Sequence, residues 1–338
     1  CEPTATRSIP SILGSPPTDV ENPNRLDFAR WLVGDENPLT ARVEVNRIWA
    51  IFFGRGLVES VEDFGYQGAW PSHPGLLDHL AVTFRDGDWD RLAMIRRILT
   101  SSTYRQSSRR SERSLEIDFD NVLLSSFPRQ RLSAEQIRDQ ALFTSGLLVE
   151  RFGGPSVKPY QPEGLWKEVA MLQSNTRNYE QGYGEDLYRR SVYTYWKRAA
   201  PPPSMLALDA PTREYCSTRR LTTNTPLQAL VLWNDPQFVE AAKLLAATVI
   251  EREPSDEGRF DLLFRIATAA PPSETIREPL RDAIARYRDR YRAAPEDAKS
   301  LLAVGETMPP EGIDPAELAA WTMLANAVLC SDAAIVKD

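Results

Sequence analysis

Thr225-Pro226-Leu227-Gln228, followed by Asn234-Asp235-Pro236, is the stretch that decides the fold. Thr225 and Gln228 have capping-box spacing, in which one side chain bonds forward to a helix-start amide and the other bonds back. Pro226 suits the first helical position, where its missing N–H leaves nothing unpaired that would otherwise be paired. Asn234-Asp235-Pro236 repeats this grammar for a helix from Gln237 to Glu251, and Asp314-Pro315-Ala316-Glu317 repeats it for a last helix to about Leu329. Between them, Gly258 to Ala269 and Glu274 to Arg292 read as helices with charged outer faces.

Working toward the N-terminus, Ser133-Ala134-Glu135-Gln136 is another capping box. It predicts a helix to Glu150 with Ile137, Ala141, Leu142, Leu148 and Val149 as its buried stripe. Asp90 to Leu99 reads as a helix with Leu92, Ile95, Ile98 and Leu99 inward. His73 precedes Pro74 at a further helix start, where its side chain is expected to answer free amides, while His79 falls on the polar side. Asn37 is expected to cap a helix with Pro38 in its first position, ending at Gly54, and Arg25 to Val33 forms a short helix before it. The glycine-rich loop from Gly54 to Pro71 is long for a connection, which marks tight or functional backbone. Ser101 to Ser114 reads as a polar, basic loop.

Only one segment alternates like a strand: Ser191 to Lys197, with Lys167 to Gln173 as the expected partner. Pro201-Pro202-Pro203 is expected to be extended. These readings give a mainly α fold, an irregular multi-helix globular body with long loops and at most a small two-stranded β element. Residues 1–23 read as a linker, 24–150 as an N-terminal helical portion, and 151–338 as a C-terminal portion, the last two joined as one continuous body. The start at Cys1 without Met reads as a piece of a longer protein.

Composition removes several functional classes. At 338 residues and 42% hydrophobic content the chain can bury a sizeable core, yet no apolar run approaches the ~20 residues that span a bilayer, so no transmembrane segment is expected. Cys1, Cys216 and Cys330 make no disulfide framework, and with His73 and His79 as the two histidines no metal site is expected. A net charge of -7 argues against nucleic-acid binding.

Against that charge, Arg177 to Arg220 holds eight Lys or Arg and five Asp or Glu, with six of the eleven tyrosines. Arg189, Arg190, Lys197, Arg198, Arg213, Arg219 and Arg220 are candidates for holding an anionic substrate, with Tyr193, Tyr195 and Trp196 as an aromatic platform and Asn224 beside them. Two readings stand for this window: a ligand-facing surface, or a seam between helical layers. Asp209 and Glu214 are the nearest carboxylate pair for glycoside cleavage. Cys216, near Arg213, Arg219 and Arg220, is either an activated thiol or an inert one, with no histidine in its segment to serve as base. Gly153-Gly154-Pro155-Ser156-Val157 lacks the lysine that a phosphate loop requires.

Several phrases recur together in one family: Asn37-Pro38-Leu39-Thr40-Ala41-Arg42, Val45-Asn46-Arg47-Ile48-Trp49, Phe53-Gly54-Arg55-Gly56-Leu57-Val58, Asp63-Phe64-Gly65, Tyr188-Arg189-Arg190-Ser191, Asp209-Ala210-Pro211 and Thr223-Asn224-Thr225-Pro226-Leu227-Gln228. From about Arg25 onward the chain resembles the planctomycete-specific domain of unknown function that forms the C-terminal part of large exported proteins. The ending Val328-Leu329-Cys330-Ser331 departs from the Leu-Asn-rich ending of that family. The resemblance implies an extracytoplasmic location, and as partners a neighbouring helical domain and a cytochrome c-like domain of the same polypeptide. This chain has no Cys-x-x-Cys-His, so the haem that the resemblance implies would lie in the preceding domain, with no cofactor here. Two functions follow as expectations: binding, with or without processing, of an anionic glycan, or a non-catalytic docking module for the cytochrome c-like domain.

Overall fold

In a computed structural model of the protein, the described residues are 24–337 together with Ile9 and Leu13, so Cys1 and nearly all of the expected linker lie outside them. Among the described residues fifteen α-helices form, with one sheet of two two-residue strands, β1 (Gln130–Arg131) and β2 (Val336–Lys337), in agreement with the mainly α expectation. The chain divides between Gln130 and Arg131 into two compact units. The expected boundary after residue 150 thus falls inside the second unit.

In the first unit, α1 (Arg25–Val33) starts at Asn24, whose Oδ1 accepts from the Leu26 amide while Asp27 accepts from the Asn24 amide. α2 (Thr40–Phe53) begins two residues later than Pro38 predicts. Asn37 still collects the loose amides, of Leu39 and Thr40, but it does so from a turn preceding the helix. Gly54 ends α2 at φ 73°, where any other residue would be strained. α3 (Pro74–Asp86) starts at His73, whose side chain makes no capping bond and pairs instead with the Ser72 hydroxyl, which corrects the expected role. In α4 (Arg91–Leu99) Met94 and Ile98 are buried and Leu92 is 77% exposed, the reverse of the expected stripe for Leu92. Two helical residues turn through roughly 200°, so Leu92 cannot share a face with Met94. The expected basic loop also contains part of a short helix, α5 (Glu112–Ile117). Val45, Ile48, Trp49 and Phe53 of α2 pack against Leu77, Leu80 and Phe84 of α3 to form this unit's core.

The second unit opens with α6 (Ala134–Thr144), capped by Ser133 and Gln136 as expected. It stops well short of Glu150 because Gly146 turns left-handed, at φ 76°, and the Leu147 and Leu148 amides fold back onto the Leu142 carbonyl. Leu148 and Val149 keep the apolar pattern going because they pack on Leu187 and Tyr188 instead. Lys167 lies in a short helix, α7 (Leu165–Val169), which removes the expected partner strand. Ser191–Tyr193 is a tight 3₁₀ turn, not a strand, and only beyond it does the chain run extended, as a parallel bridge from Thr194 to Val157. α8 (Pro203–Ala207) begins inside the proline run.

α9 (Pro226–Asn234) and α10 (Pro236–Arg252) follow at the two expected starts, then α11 (Asp256–Thr268), α12 (Glu274–Ala293), α13 (Pro295–Leu302), α14 (Pro315–Leu329) and α15 (Asp332–Ile335). α10 and α14 are the central pair. Ala242, Leu245, Ala246 and Val249 meet Leu318, Ala319, Trp321, Leu324, Ala325 and Val328, all almost fully buried. The alanines let the backbones approach, and each buried leucine contributes about 2 kcal/mol of transfer free energy. At the edge of this core, Arg288 of α12 forks onto Asp256 and Glu317, and Arg259 also reaches Glu317, whose Oε1 accepts from the Trp321 indole at 2.9 Å.

Candidate functional site

The basic, tyrosine-rich window sorts into an interior half and a solvent half. Arg189 is fully enclosed: its guanidinium donates to the carbonyls of Pro155 (2.9 Å), Arg151 (2.9 Å) and Gly153, and the Tyr193 ring covers it at 3.8 Å. It closes the 151–155 turn and has no face left for a substrate. Tyr193 is likewise occupied, its hydroxyl accepting from the Gly153 amide. Arg138, on α6, is a buried cation that sequence reasoning missed. It donates to the Leu187 and Arg189 carbonyls and to the Ser191 and Gln237 side chains, and burial pushes it down to about 10.

A second enclosed cluster lies on α10. Glu240 accepts from the Tyr188 hydroxyl (2.9 Å), the Tyr160 hydroxyl (3.1 Å) and the Thr307 amide (2.7 Å). One helical turn on, Lys243 donates to the Leu302, Val304 and Thr307 carbonyls. Burial raises the Tyr160 and Tyr188 phenols above their ordinary value, and burial likewise raises Tyr179, which donates to the Pro159 carbonyl. These groups bind the loops around residues 160, 188 and 305 to the helix.

The solvent half begins where the chain straightens. From Thr194 onward alternate side chains point to opposite sides, so Tyr195 and Lys197 share one face and Trp196 takes the other. Tyr195 lies 5.5 Å from the Trp166 ring, and the Lys197 ammonium sits 4.7 Å from that ring's centre. The Lys158 ammonium lies 5.6 Å from the same indole and 5.7 Å from Tyr195. Lys158 is placed by the bridge that runs beside it, in which the Tyr195 amide donates to the Val157 carbonyl at 2.7 Å. Lys158, Trp166 and Tyr195 line a hollow of about 170 Å³ together with Ser174, Asn175, Thr176, Asn178 and Glu180. That is room for roughly six waters, or a single sugar-sized group. One ammonium hydrogen of Lys197 is spent on the Thr176 carbonyl at 2.8 Å. Among the described residues neither lysine has a carboxylate within ion-pair distance. The sequence offered a signal for Trp166 and Lys158, a tryptophan and a lysine in a polar, proline-rich stretch, but they precede the window that charge counting marked out.

On the other face of the extended segment, Trp196 donates to the Thr212 carbonyl at 3.0 Å and carries the Arg213 guanidinium 4.3 Å above its ring. Glu214, Cys216, Arg219 and Asn224 follow on an exposed strap, and Arg198 is exposed as well. Arg220 is paired with Glu135 at 2.6 Å. Asp209 anchors the strap: its carboxylate accepts from Arg131 (2.6 Å), the Thr223 amide (2.7 Å) and hydroxyl, and the Gln228 amide (3.1 Å). Burial alone would push this carboxyl up, but the Thr223 and Arg131 bonds outweigh it and hold it below its ordinary value. Its oxygens thereby tie the strap to β1 and to α9. Cys216 is an exposed thiol, not a buried one, in a unit that contains no histidine. Cys330 is half-buried, its thiol pushed up to about 12 by burial.

Arg190 lines a larger hollow of about 360 Å³ with Asp139, Glu150, Gln140, Phe143, Leu148 and Phe152. Two carboxylates face its one guanidinium there, and Arg190 is already 3.5 Å from Asp139, so this hollow does not suit an anion. Among the described residues no group of three His, Cys, Asp or Glu could hold a metal ion, and no helix is long and apolar enough to cross a membrane.

The model of a family described as PSD1, protein of unknown function (DUF1553), matches residues 24–284. That match takes in the hollow, the strap and the enclosed cations alike. No curated protein and no solved structure matches the chain.

Proposed function

The chain belongs to the PSD1 family of proteins of unknown function (DUF1553), and from that premise we propose that its second unit binds an anionic carbohydrate group in the hollow lined by Lys158, Trp166 and Tyr195, with the Lys197 ammonium over the same indole. The observation that carries this reading is the convergence of two ammonium groups on one indole ring with no carboxylate partner among the described residues. A lysine pair of this kind favours a ligand charge of the opposite sign. The half-buried Tyr195 ring offers an apolar face to a sugar, and Asn175, Asn178 and Glu180 offer partners for its hydroxyls. Such a binder suits the extracytoplasmic, planctomycete setting and the cytochrome c-like neighbour that the family resemblance implies. The reading includes no catalytic step: Asp209 is committed to the fold and Cys216 has no imidazole in its unit.

The second reading, a docking module without a ligand of its own, draws its support from the enclosed half of the window. Tyr188 and Arg189 are sealed inside, as a structural body would have them.

Calorimetric titration of the intact protein with heparin fragments and with polygalacturonate at low ionic strength separates the two. The binding reading expects association with at least one of them. Replacing Lys158 and Lys197 together by alanine then weakens it by about tenfold or more, and salt near about 0.5 M also weakens it. No association with either polymer, or unchanged association of the double variant, removes the hollow as the site and leaves the docking module.

A further inference from the structure

The glycine-rich loop of the first unit, residues 54–71, has no part in the hollow. Its base is fixed to α2. Asn46, fully buried, donates to the Val58 carbonyl at 2.9 Å and accepts from the Val58 amide at 2.8 Å, and Leu57 and Val58 are buried in the core beneath. Gly56 is required there, because a Cβ would meet the Val58 carbonyl oxygen at 2.5 Å and the Asn46 amide at 2.6 Å. The Ser72 amide closes the loop onto the Leu57 carbonyl at 2.8 Å.

The tip has a frame of its own. The Ser60 hydroxyl donates to the Asp63 carbonyl (2.7 Å) and accepts from the Ala69 amide (2.8 Å), while the Asp63 carboxylate accepts from the Gly65 amide (2.7 Å). Gly68 passes so close to Asp63 that a Cβ would lie 2.2 Å from its carbonyl oxygen. On this braced tip stand Tyr66 and Trp70, 105% and 93% exposed, the two most exposed large apolar side chains among the described residues. A rigid loop that leaves both rings in water forgoes burial the protein could have used.

We propose that Tyr66 and Trp70 form a stacking platform for a neutral polysaccharide chain. Between and beside the rings the loop carries Gly65, Gln67, Gly68, Ala69 and Pro71, and its Phe64 packs against the core, so the tip holds no further exposed large apolar side chain of the kind a stable protein interface needs. The loop carries Glu59, Glu62 and Asp63 against Arg55 alone. That excess of negative charge disfavours an anionic polymer and an anionic membrane surface. A sugar ring presents a flat face of C–H groups to an aromatic ring and hydroxyls at its edge. Gln67, Glu62 and Asp63 are on the same loop as acceptors for such hydroxyls. The loop backbone beneath the rings is already fixed by the Ser60 and Asp63 bonds, so binding does not have to order it.

Affinity electrophoresis of the intact protein through gels containing hydroxyethylcellulose, galactomannan or xyloglucan tests this. The expected result is retardation by at least one polymer, persisting at about 0.5 M salt, with Tyr66→Ala and Trp70→Ala each weakening it by about tenfold or more. Because both side chains are already in water, these variants keep the wild-type unfolding midpoint. Replacing Lys158 and Lys197 leaves the retardation unchanged, which keeps this platform distinct from the hollow. Wild-type mobility in all three gels overturns the proposal. So does undiminished retardation of both aromatic variants, loss of retardation in salt, or Trp70-dependent binding to phosphatidylcholine vesicles with none to any polysaccharide.

Discussion

Arg189 and Lys197 belong to one basic run, and by sequence they are equivalent candidates for an anionic ligand. In the structure they differ in the partner each one faces. Arg189 points inward and spends its guanidinium on three backbone carbonyls, whereas Lys197 points along an extended face and gives one hydrogen to Thr176. Arg189 shapes the region, and Lys197 is left to meet a ligand. A cluster of positive charges in sequence is therefore two populations, separated by how the local backbone turns between Ser191 and Thr194.

The largest effect that could break this comparison is Arg189→Met. It leaves the Arg151, Gly153 and Pro155 carbonyls without their donor, and a cost of about 3 kcal/mol or more is expected from several buried acceptors losing a charged partner. The midpoint of urea unfolding reads it. A midpoint within error of the wild type would mean that the enclosed half is not structural after all.

An intermediate effect comes from the phenols. Tyr160, Tyr179 and Tyr188 have raised folded-state values, chiefly through burial, so the folded protein holds their protons where the unfolded chain releases them. Their contribution is fully present below about pH 10, the unfolded value, and is lost as pH rises through the folded values. Thermal melts between pH 8 and about 11 are expected to show a falling midpoint above about pH 10, and the fall is smaller in Tyr179→Phe. The smallest effect sharpens the contrast: Lys158→Ala with Lys197→Ala changes stability by less than about 1 kcal/mol by urea unfolding, as for other solvent-facing cations without a carboxylate partner.

What the sequence disclosed follows the same division between local and distant causes. The capped starts at Ser133, Asp235 and Asp314 were legible because a helix start is decided within four residues. The end of α6 was not, since Leu148 and Val149 continue an apolar pattern for the sake of Leu187 and Tyr188, far along the chain. The strand expected over Ser191 to Lys197 fails at its start, which coils into a 3₁₀ turn; only from Thr194 is the chain extended, and its partner is Val157, not the 167–173 stretch, whose first residues belong to a helix. Of the candidate site, Tyr195 and Lys197 were visible as residue types. Lys158 and Trp166 were visible only as a lysine and a tryptophan outside the basic window, and nothing local shows that a bridge between Val157 and Thr194 brings Lys158 to the site. Arg189 could not be recognised as interior at all: its partners are carbonyl oxygens, which every residue has.

The bracket of Arg259 and Arg288 on Glu317 has a consequence for how the protein is made. Glu317 sits in the first turn of α14, the helix that supplies half of the central pair with α10. While a ribosome is still synthesising α13, the side of α10 that α14 covers is open and the two arginines lack one of their carboxylates. The second unit therefore cannot close its core as it emerges, and must wait, exposed to aggregation and to binding by chaperones, until nearly all of it has left the exit tunnel.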